Sequence, residues 1–296
     1  MAAYHDPVLK HVVVEGLNIH PNGTYVDLTF GGGGHSREIL GKLKNGKLIA
    51  FDQDQDANRN AINDPRFFLV NANFRFLTNF LRYFDAIPVD GILADLGISS
   101  HQIDDADRGF SFRFDAALDL RMNRNASSNA ADIINQADLH ELIQLLRKYG
   151  ELDNAPRIAR EIISSRPIAS TKQLADAISK LMLRGKENKG LAKVFQAFRI
   201  AVNDEIKTLE EMLMQLPAVV KPGGRIAVIS YNSLEDRLVK NFIRAGKFDG
   251  EVEKDFYGNP LAPFNAVNRK VITPDDQELQ TNPRSRSAKL RIAERI

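Results

Sequence analysis

Carboxylates and glycines recur in this chain at the spacing that a nucleotide-like ligand needs. Thr24-Tyr-Val-Asp-Leu-Thr-Phe30 runs into four consecutive glycines at 31–34, followed by His35 and Ser36. Glycine admits positive φ and lets a ligand approach the backbone closely. A helix that starts there offers its first N–H groups to polar or anionic atoms. Asp27 lies four residues before Gly31, near the end of the β-rich run, where it can meet the same ligand. Asp52 lies 21 residues after Gly31 (52 − 31), close to the interval of about 20 at which a carboxylate takes ribose hydroxyls. Phe74 offers a ring for stacking on a purine, and Asp95 ends a later apolar run. Together they point to an adenosine-type cofactor. The turn is not the full dinucleotide fingerprint: the third glycine of G-x-G-x-x-G, counted from Gly31, is Ser36. Singly, each residue has a plain structural role as well: a surface loop for the glycines, a helix cap for Asp52, core for Phe74, a turn former for Asp95.

The elements that must position these residues alternate. Strand patterns at 24–30, 47–52, 66–72 and 89–95 are separated by helical patterns at 36–43, 57–62 and 76–83. Such alternation predicts a parallel sheet with helices on both faces, and these sheets bind ligands at the carboxyl ends of their strands. The glycines, Asp52, Phe74 and Asp95 all fall at such ends. A preceding helix at 8–17, with Val8, Leu9, Val12 and Val13 at helical spacing, is expected on the edge of the core. Tyr4, His5 and Pro7 are read as structural, with a lining role in the site as the alternative.

After residue 95 the rhythm stops. A loop combines Arg108, Phe110, Phe112 and Arg113, and helices are predicted at 116–122, 132–135, 138–149, 155–165 and 171–183. Asp138, Asn154 and Thr171 stand where caps belong, and Gly150 where a helix stops. This predicts a helical insertion over 105–190 between a first core segment, 1–104, and a second, 191–296. Arg157, Arg160 and Arg166 are either a solvated face or contacts to nucleic-acid phosphates. A long helix is expected over 189–216, a turn at 221–224 and a fifth strand over 225–230. Tyr231 and Asn232 then face the ligand crevice, and Ser233 with Asp236 forms a capping box. Strand-like runs at 270–273 and 288–293 flank Arg284 and Arg286. From Thr281 on, Arg284, Arg286, Lys289, Arg291 and Arg295 are opposed only by Glu294. That basic stretch suits RNA phosphates, or is the solvated charge of an edge strand.

Composition narrows the classes. The 296 residues allow two domains or one domain with an insertion, and 43% hydrophobic with 26% charged residues is ordinary for a folded protein. A net charge of +2 confines any nucleic-acid surface to a local patch. The absence of cysteine excludes disulfides, thiolate metal sites and a cysteine nucleophile. No metal site is expected. There is no signal-peptide pattern and no apolar run of the ~20 residues that span a bilayer, so a cytoplasmic protein without membrane contact is expected.

Several stretches, in order, resemble one family. They are Phe30-Gly-Gly-Gly-Gly-His-Ser36, Asp90-Gly-Ile-Leu-Ala-Asp-Leu-Gly-Ile-Ser-Ser100, Arg108-Gly-Phe-Ser-Phe112, Leu118-Asp-Leu-Arg-Met122, Phe195-Gln-Ala-Phe-Arg-Ile200, the run 230–237 and Asn282-Pro-Arg-Ser-Arg-Ser-Ala-Lys-Leu-Arg291. They are similar to the bacterial ribosomal RNA small-subunit methyltransferase H family, of MraW type, from about Tyr4 to Arg291. The resemblance implies an α/β fold: a class I S-adenosylmethionine-dependent methyltransferase core, Rossmann-like and mostly parallel with an antiparallel C-terminal strand, carrying an inserted helical domain. It implies methylation of the exocyclic N4 of a cytidine in the decoding region of small-subunit (16S) ribosomal RNA. The target would be presented within the assembled 30S subunit, and a homodimer is open. Cofactor contacts carry over onto Gly33, Gly34, His35, Asp52, Phe74, Asp95 and Gln102. The chain departs from the family pattern at His101, where proline is common, at Asn232, where histidine is common, at Asp115-Ala-Ala-Leu118, and at Ala192. Asn232 matters most, because it follows the fifth strand.

For that reaction Asp95 is the candidate acceptor of the amino hydrogens, with Ser99, Ser100 and Asn232 as lesser ones; Asp95 binding cofactor alone is the alternative. Arg108, Phe110, Phe112, Asn232, Arg284 and Arg286 are the candidate RNA contacts, against a packed loop as the other reading of the Phe110 region. Methylation at cytosine C5 would require a cysteine nucleophile, which is absent. Two competing readings share some of the features. An NAD-linked oxidoreductase accounts for the glycine turn and Asp52 but not for the run after Asp95. A non-catalytic RNA-binding assembly factor has no need of the furnished strand ends.

Overall fold

The computed structural model describes residues 7–296; Tyr4 and His5 lie outside the described residues. Helix α1 (Lys10–Leu17) runs between Leu9 and Asn18, both left-handed, and buries Val13, Val14 and Leu17. Strand β1 (Thr24–Asp27) leads to helix α2 (Gly34–Lys42) and strand β2 (Lys47–Phe51). β1 stops short of the expected residue 30. The backbone beyond it still pairs, Leu28 N donating to Leu93 O at 2.8 Å and Phe30 N to Phe51 O at 2.9 Å. A 3-10 turn, Gln55–Asn60, replaces the helix expected at 57–62, and Asp54 caps it. Strand β3 (Phe67–Val70), helix α3 (Leu77–Tyr83) and strand β4 (Val89–Asp95) follow.

The chain then builds a separate compact unit, Ile98–Glu205. Its helices are α4 (Ser100–Asp104), α5 (Ala130–Gln136), α6 (Leu139–Gly150), α7 (Ala155–Ser164), α8 (Thr171–Ile178) and α9 (Glu187–Asn203). Its own core includes Ile134, Leu142, Leu146, Ile158, Ile162, Leu174, Val194 and Phe198, all fully buried. The unit is wider than the predicted 105–190, because α4 and the whole of α9 belong to it. No helix forms at 116–122. Ala117 instead bridges Ser170, and Asp119 accepts from the Arg121 guanidinium at 2.6 Å. Asp138 caps α6 in a box with Glu141. The cap of α8 is Ser170, one residue before the expected Thr171, whose hydroxyl donates to Phe114 O at 2.5 Å.

The helix expected over 189–216 is two helices. α9 ends at Asp204, whose φ of 51° is left-handed, and α10 (Glu205–Val219) begins there. β5 (Val220–Ser230), α11 (Ser233–Ala245), β6 (Phe264–Ala266), α12 (Asp276–Thr281) and β7 (Lys289–Arg295) complete the chain. Among the described residues, seven strands form one sheet in the order β3-β2-β1-β4-β5-β7-β6. β1 to β5 pair in parallel, and β7 pairs antiparallel with β5 and β6. The expected strand at 270–273 reduces to a single bridge, Ile272 with Leu290; β6 is the strand that flanks β7.

Alternate strand residues feed two cores. Val26, Ile49, Phe51, Ile92, Ala94, Ile226 and Val228 pack with α3, α10 and α11 residues such as Leu81, Leu213 and Phe242. Tyr25, Leu48, Ala50, Leu93, Ala227 and Ile229 pack with α1 and α2 residues such as Leu17 and Ile39. This period of two puts apolar cover on both faces, which is why these strands read as continuous apolar runs. The strand order reverses between β1 and β4, so their carboxyl ends flank the crevice where such sheets bind ligands. The sheet is thus mostly parallel with an antiparallel C-terminal strand, as expected.

Candidate active site at the strand ends

β1 delivers the first carboxylate. Asp27 is buried; its Oδ2 accepts from Ser36 Oγ at 2.7 Å and its Oδ1 from Thr29 N at 3.1 Å. Burial pushes its pKa up, opposed chiefly by the Ser36 hydrogen bond and by His35. Asp27 therefore serves the protein interior, tying the start of α2 to β1, rather than meeting a ligand.

The glycine turn follows. Gly31 and Gly33 have φ of 49° and 74°, the region that L side chains avoid. A methyl group at Gly33 would lie 2.8 Å from the Phe30 ring, and one at Gly34 2.9 Å from Pro7. Gly31 N donates to Asp52 Oδ2 at 2.8 Å, and Asp54 N to Asp52 Oδ1 at 2.8 Å. The end of β2 is thereby fastened to the turn after β1. Burial pushes Asp52 up to about 6 despite these two hydrogen bonds. At the end of β3, Asn73 caps the short turn that carries Phe74, and its amide donates to Gln53 Oε1 at 2.8 Å. Phe74 is half-buried against the core.

His35 and Asp95 face each other across the crevice. His35 Nε2 lies 2.9 Å from Val8 O; a carbonyl only accepts, so Nε2 carries the hydrogen. His35 Nδ1 then lies 3.8 Å from Asp95 Oδ2. Asp95 N donates to Thr29 Oγ1 at 2.7 Å, and Asp95 Oδ1 accepts from the Tyr231 hydroxyl at 2.9 Å. Burial raises Asp95 to about 6, against the pull of His35 and of the Tyr231 hydrogen bond. The Tyr231 phenol is pushed far up, first by burial and then by Asp95. A groove of about 410 Å³ between α1 and α2, lined by His11, Glu15, Glu38 and Lys42, involves none of these strand-end residues.

The model of the MraW methylase family matches residues 2–296. The chain belongs to the MraW methylase family. It is 55% identical over 296 residues to "Ribosomal RNA small subunit methyltransferase H" of Bacteroides thetaiotaomicron, covering 99% of this chain and 97% of that protein. The protein of the same name from Cytophaga hutchinsonii is 55% identical over 297 residues, covering 99% of each chain. Among solved structures, an rRNA methylase from Streptococcus thermophilus aligns over 96% of this chain and 92% of its own, at 12% identity and a TM-score of 0.43. The cofactor of this methyltransferase is S-adenosylmethionine.

Within this MraW chain the first compact unit brings together Gly33, Gly34, His35 and Asp95, with Asp52 joined through Gly31 and Phe74 at the next strand end. Gln102 belongs to the Ile98–Glu205 unit. There it is buried, and its Oε1 accepts from Ser99 N at 3.0 Å in the box that starts α4.

Four RNA-contact expectations are altered. Arg108 is 1% exposed, and its guanidinium donates to the carbonyls of Arg121 at 3.0 Å and Met122 at 2.9 Å. In that state it cannot reach a phosphate. Phe110 is buried, with Arg108 over its ring at 5.8 Å, and Phe112 packs on Phe195 at 5.5 Å; this is the packed-loop arrangement. Asn232, not Ser233, caps α11: its Oδ1 accepts from Leu234 N and Glu235 N, both at 3.0 Å. Glu235, rather than Asp236, closes the box. Asn232 is thus spent on the helix start, although its Nδ2 is a buried donor without a hydrogen-bond partner among the described residues.

Arg284 and Arg286 are exposed on the 3-10 turn Pro283–Ser287. The remaining tail cations have internal work. Lys289 and Arg291 pair with Asp236 at 3.2 and 2.8 Å, and Arg295 donates to Pro263 O at 3.0 Å. Sequence reasoning missed Tyr231 as a partner of Asp95. Asp95 ends β4 and Tyr231 follows β5, and no local sequence signal announces that these two strands are neighbours.

Proposed function

We propose that this chain methylates the exocyclic N4 of a cytidine in the decoding region of small-subunit ribosomal RNA, presented on the assembled subunit. The observation that carries the reading is the Asp95 carboxylate. It stands at the end of β4 beside the glycine turn, with Oδ1 held by Tyr231 and Oδ2 beyond hydrogen-bond reach of His35. The curated relatives, named for small-subunit ribosomal RNA methylation, support the substrate class.

The residues present fit the cofactor. The turn at Gly33 has no room for a side chain, and the Asp52 carboxylate is tied to that turn where ribose hydroxyls would be met. Phe74 offers an apolar face at the next strand end. When bound, S-adenosylmethionine supplies a methyl group activated by a positively charged sulfur. Within the first compact unit, Gly33, Gly34, His35, Asp52 and Phe74 are the residues that would hold it.

The nucleophile sets the demand on Asp95. The cytosine amino lone pair is delocalised into the ring, so the nitrogen must be held close and in line. A carboxylate accepting one amino hydrogen restores lone-pair character and takes the proton that a methylated amino group has to lose. Asp95, pushed up to about 6, is ionised at neutral pH yet more basic than an ordinary aspartate. The reading needs no cysteine, and there is none.

The test is methyl transfer from labelled S-adenosylmethionine to small subunits taken from cells lacking this modification. N4-methylcytidine at one decoding-region position is the expected product. Methylation of another nucleoside refutes the assignment, and cofactor binding without transfer favours an assembly factor.

A further inference from the structure

Tyr231 touches Asp95 from the neighbouring strand, and the geometry shows how it is held there. β4 and β5 pair in parallel with Asp95 opposite Ile229, and Leu96 N donates to Ile229 O at 2.9 Å beyond the end of β4. Tyr231 therefore leaves β5 level with the residues after Asp95. Its backbone N–H donates to Glu235 Oε2 at 2.9 Å, which fixes the chain where α11 begins. Gly97, at φ 101°, turns the chain after Asp95, and a Cβ there would make only ordinary contact with the ring, 3.5 Å from Tyr231 Cδ2. Asp95 is anchored at its own backbone by Thr29 Oγ1.

The two oxygens of Asp95 are consequently unlike. Oδ1 has a hydrogen-bond donor at 2.9 Å, whereas His35 Nδ1 stands 3.8 Å from Oδ2, outside hydrogen-bond distance. About a fifth of the side chain, 22%, remains open. We infer that Tyr231 is a positioning residue for methyl transfer: its hydroxyl pins Oδ1 of Asp95, so that Oδ2 is the oxygen presented to the amino hydrogen of the substrate. The inference rests on the methyl-transfer reading above. A free carboxyl can rotate about its Cβ–Cγ bond and exchange its oxygens; one locked at Oδ1 keeps a single acceptor aimed at a single place.

The groups facing this pair are Asp27 from β1, His35 from α2, and Glu235 and Glu278, which bear on the phenol from α11 and α12. Tyr231→Phe leaves all of them and the ring in place and removes only the donor. A hydrogen bond to the charged form favours that form, so its loss must raise Asp95 further.

Two measurements test this. The first is titration of the Asp95 carboxyl by carbon-13 NMR in the protein without RNA. It is expected to move upward by about one to two pH units in Tyr231→Phe, the usual size for a charge-assisted hydrogen bond. An unmoved titration overturns the inference. The second is single-turnover methyl transfer. Tyr231→Phe is expected to slow the reaction about tenfold at pH 7, shift the acid limb of the rate profile upward, and leave the KM for S-adenosylmethionine within about twofold. In an Asp95→Asn background the same change should cost nothing more. Equal losses in both backgrounds show that Tyr231 acts on packing and not through Asp95. The titration uses no substrate, so it stands or falls independently of which nucleoside is methylated.

Discussion

Replacing Asp95 by asparagine should stabilise the protein while disabling it. Asp95 is raised from 3.8 to about 6, first by burial. Below about pH 4 the carboxyl is neutral in both the folded and unfolded chain, so it makes no difference to stability. Between about pH 4 and 6 the unfolded chain ionises first, and the folded state loses ground as pH rises. Above about pH 6 the penalty is constant. At 1.36 kcal/mol per unit, a rise of about two units costs about 3 kcal/mol at pH 8 and only about 1 kcal/mol at pH 4.5. Asparagine removes the charge and keeps an oxygen for the Tyr231 hydroxyl. It also adds an amide that needs partners, so the expected gain is about 1–3 kcal/mol at pH 8 and close to nothing at pH 4.5. Urea unfolding of wild type and Asp95→Asn without ligands, at both pH values, measures it. Methyl transfer by the variant should fall at least about a hundredfold, the usual scale for loss of a general base. A variant less stable than wild type at pH 8, or shifted equally at both pH values, would refute the account of a buried carboxylate held ionised for chemistry.

Three further outcomes follow from the geometry. Gly33→Ala forces a side chain into a left-handed position and against the Phe30 ring; it should cost about 1–2 kcal/mol from backbone strain and weaken S-adenosylmethionine binding about tenfold by calorimetry. Arg108→Met strands the carbonyls of Arg121 and Met122 and should destabilise the fold by about 2–4 kcal/mol in urea. Unchanged stability with weaker RNA binding would instead restore Arg108 as a phosphate contact. Asn232→Ala removes the cap of α11 and should cost about 1 kcal/mol, whereas Asn232→Asp, which keeps an acceptor at the same place, should unfold at nearly the wild-type urea concentration.

The sheet was legible because parallel strands covered on both faces read as unbroken apolar runs, and β2, with Leu48, Ile49, Ala50 and Phe51 all buried, shows why. The furnished ends were legible for a related reason: each run stops at a residue that apolar cover would not tolerate. The cofactor roles expected of Gln102 and His35 came from family resemblance alone, since neither has a spacing that distinguishes it from a structural residue. Arg108 was not legible. An arginine beside Phe110 and Phe112 looks the same whether it faces solvent or plugs a core, and its acceptors are backbone carbonyls with no side-chain signature. The capping box after β5 had two overlapping solutions one residue apart. Asn232 with Glu235 prevails, the Glu235 carboxylate reaching the N–H groups of both Tyr231 and Asn232. The break at Asp204 carries neither glycine nor proline, so the apolar rhythm runs through it undisturbed. Tyr231 and Asp95 are brought together only by the pairing of β4 with β5, which lies beyond local pattern.

That pairing has a consequence for biogenesis. Everything in Ile98–Glu205 is made before β5 exists, so this unit can fold on the nascent chain with its partners already at hand. The sheet cannot. β4 must wait, with one edge bare, through the synthesis of the whole intervening unit, and β5 then waits for β7, the strand Lys289–Arg295, to cover its other side. The tyrosine–carboxylate contact closes only when β5 docks on β4. An abortive product ending before Lys289 would carry a finished helical unit beside a sheet with an exposed edge, the form most prone to sticking to its own kind. Growing the chain in this order means that Tyr231 meets Asp95 only after the whole Ile98–Glu205 unit has been synthesised.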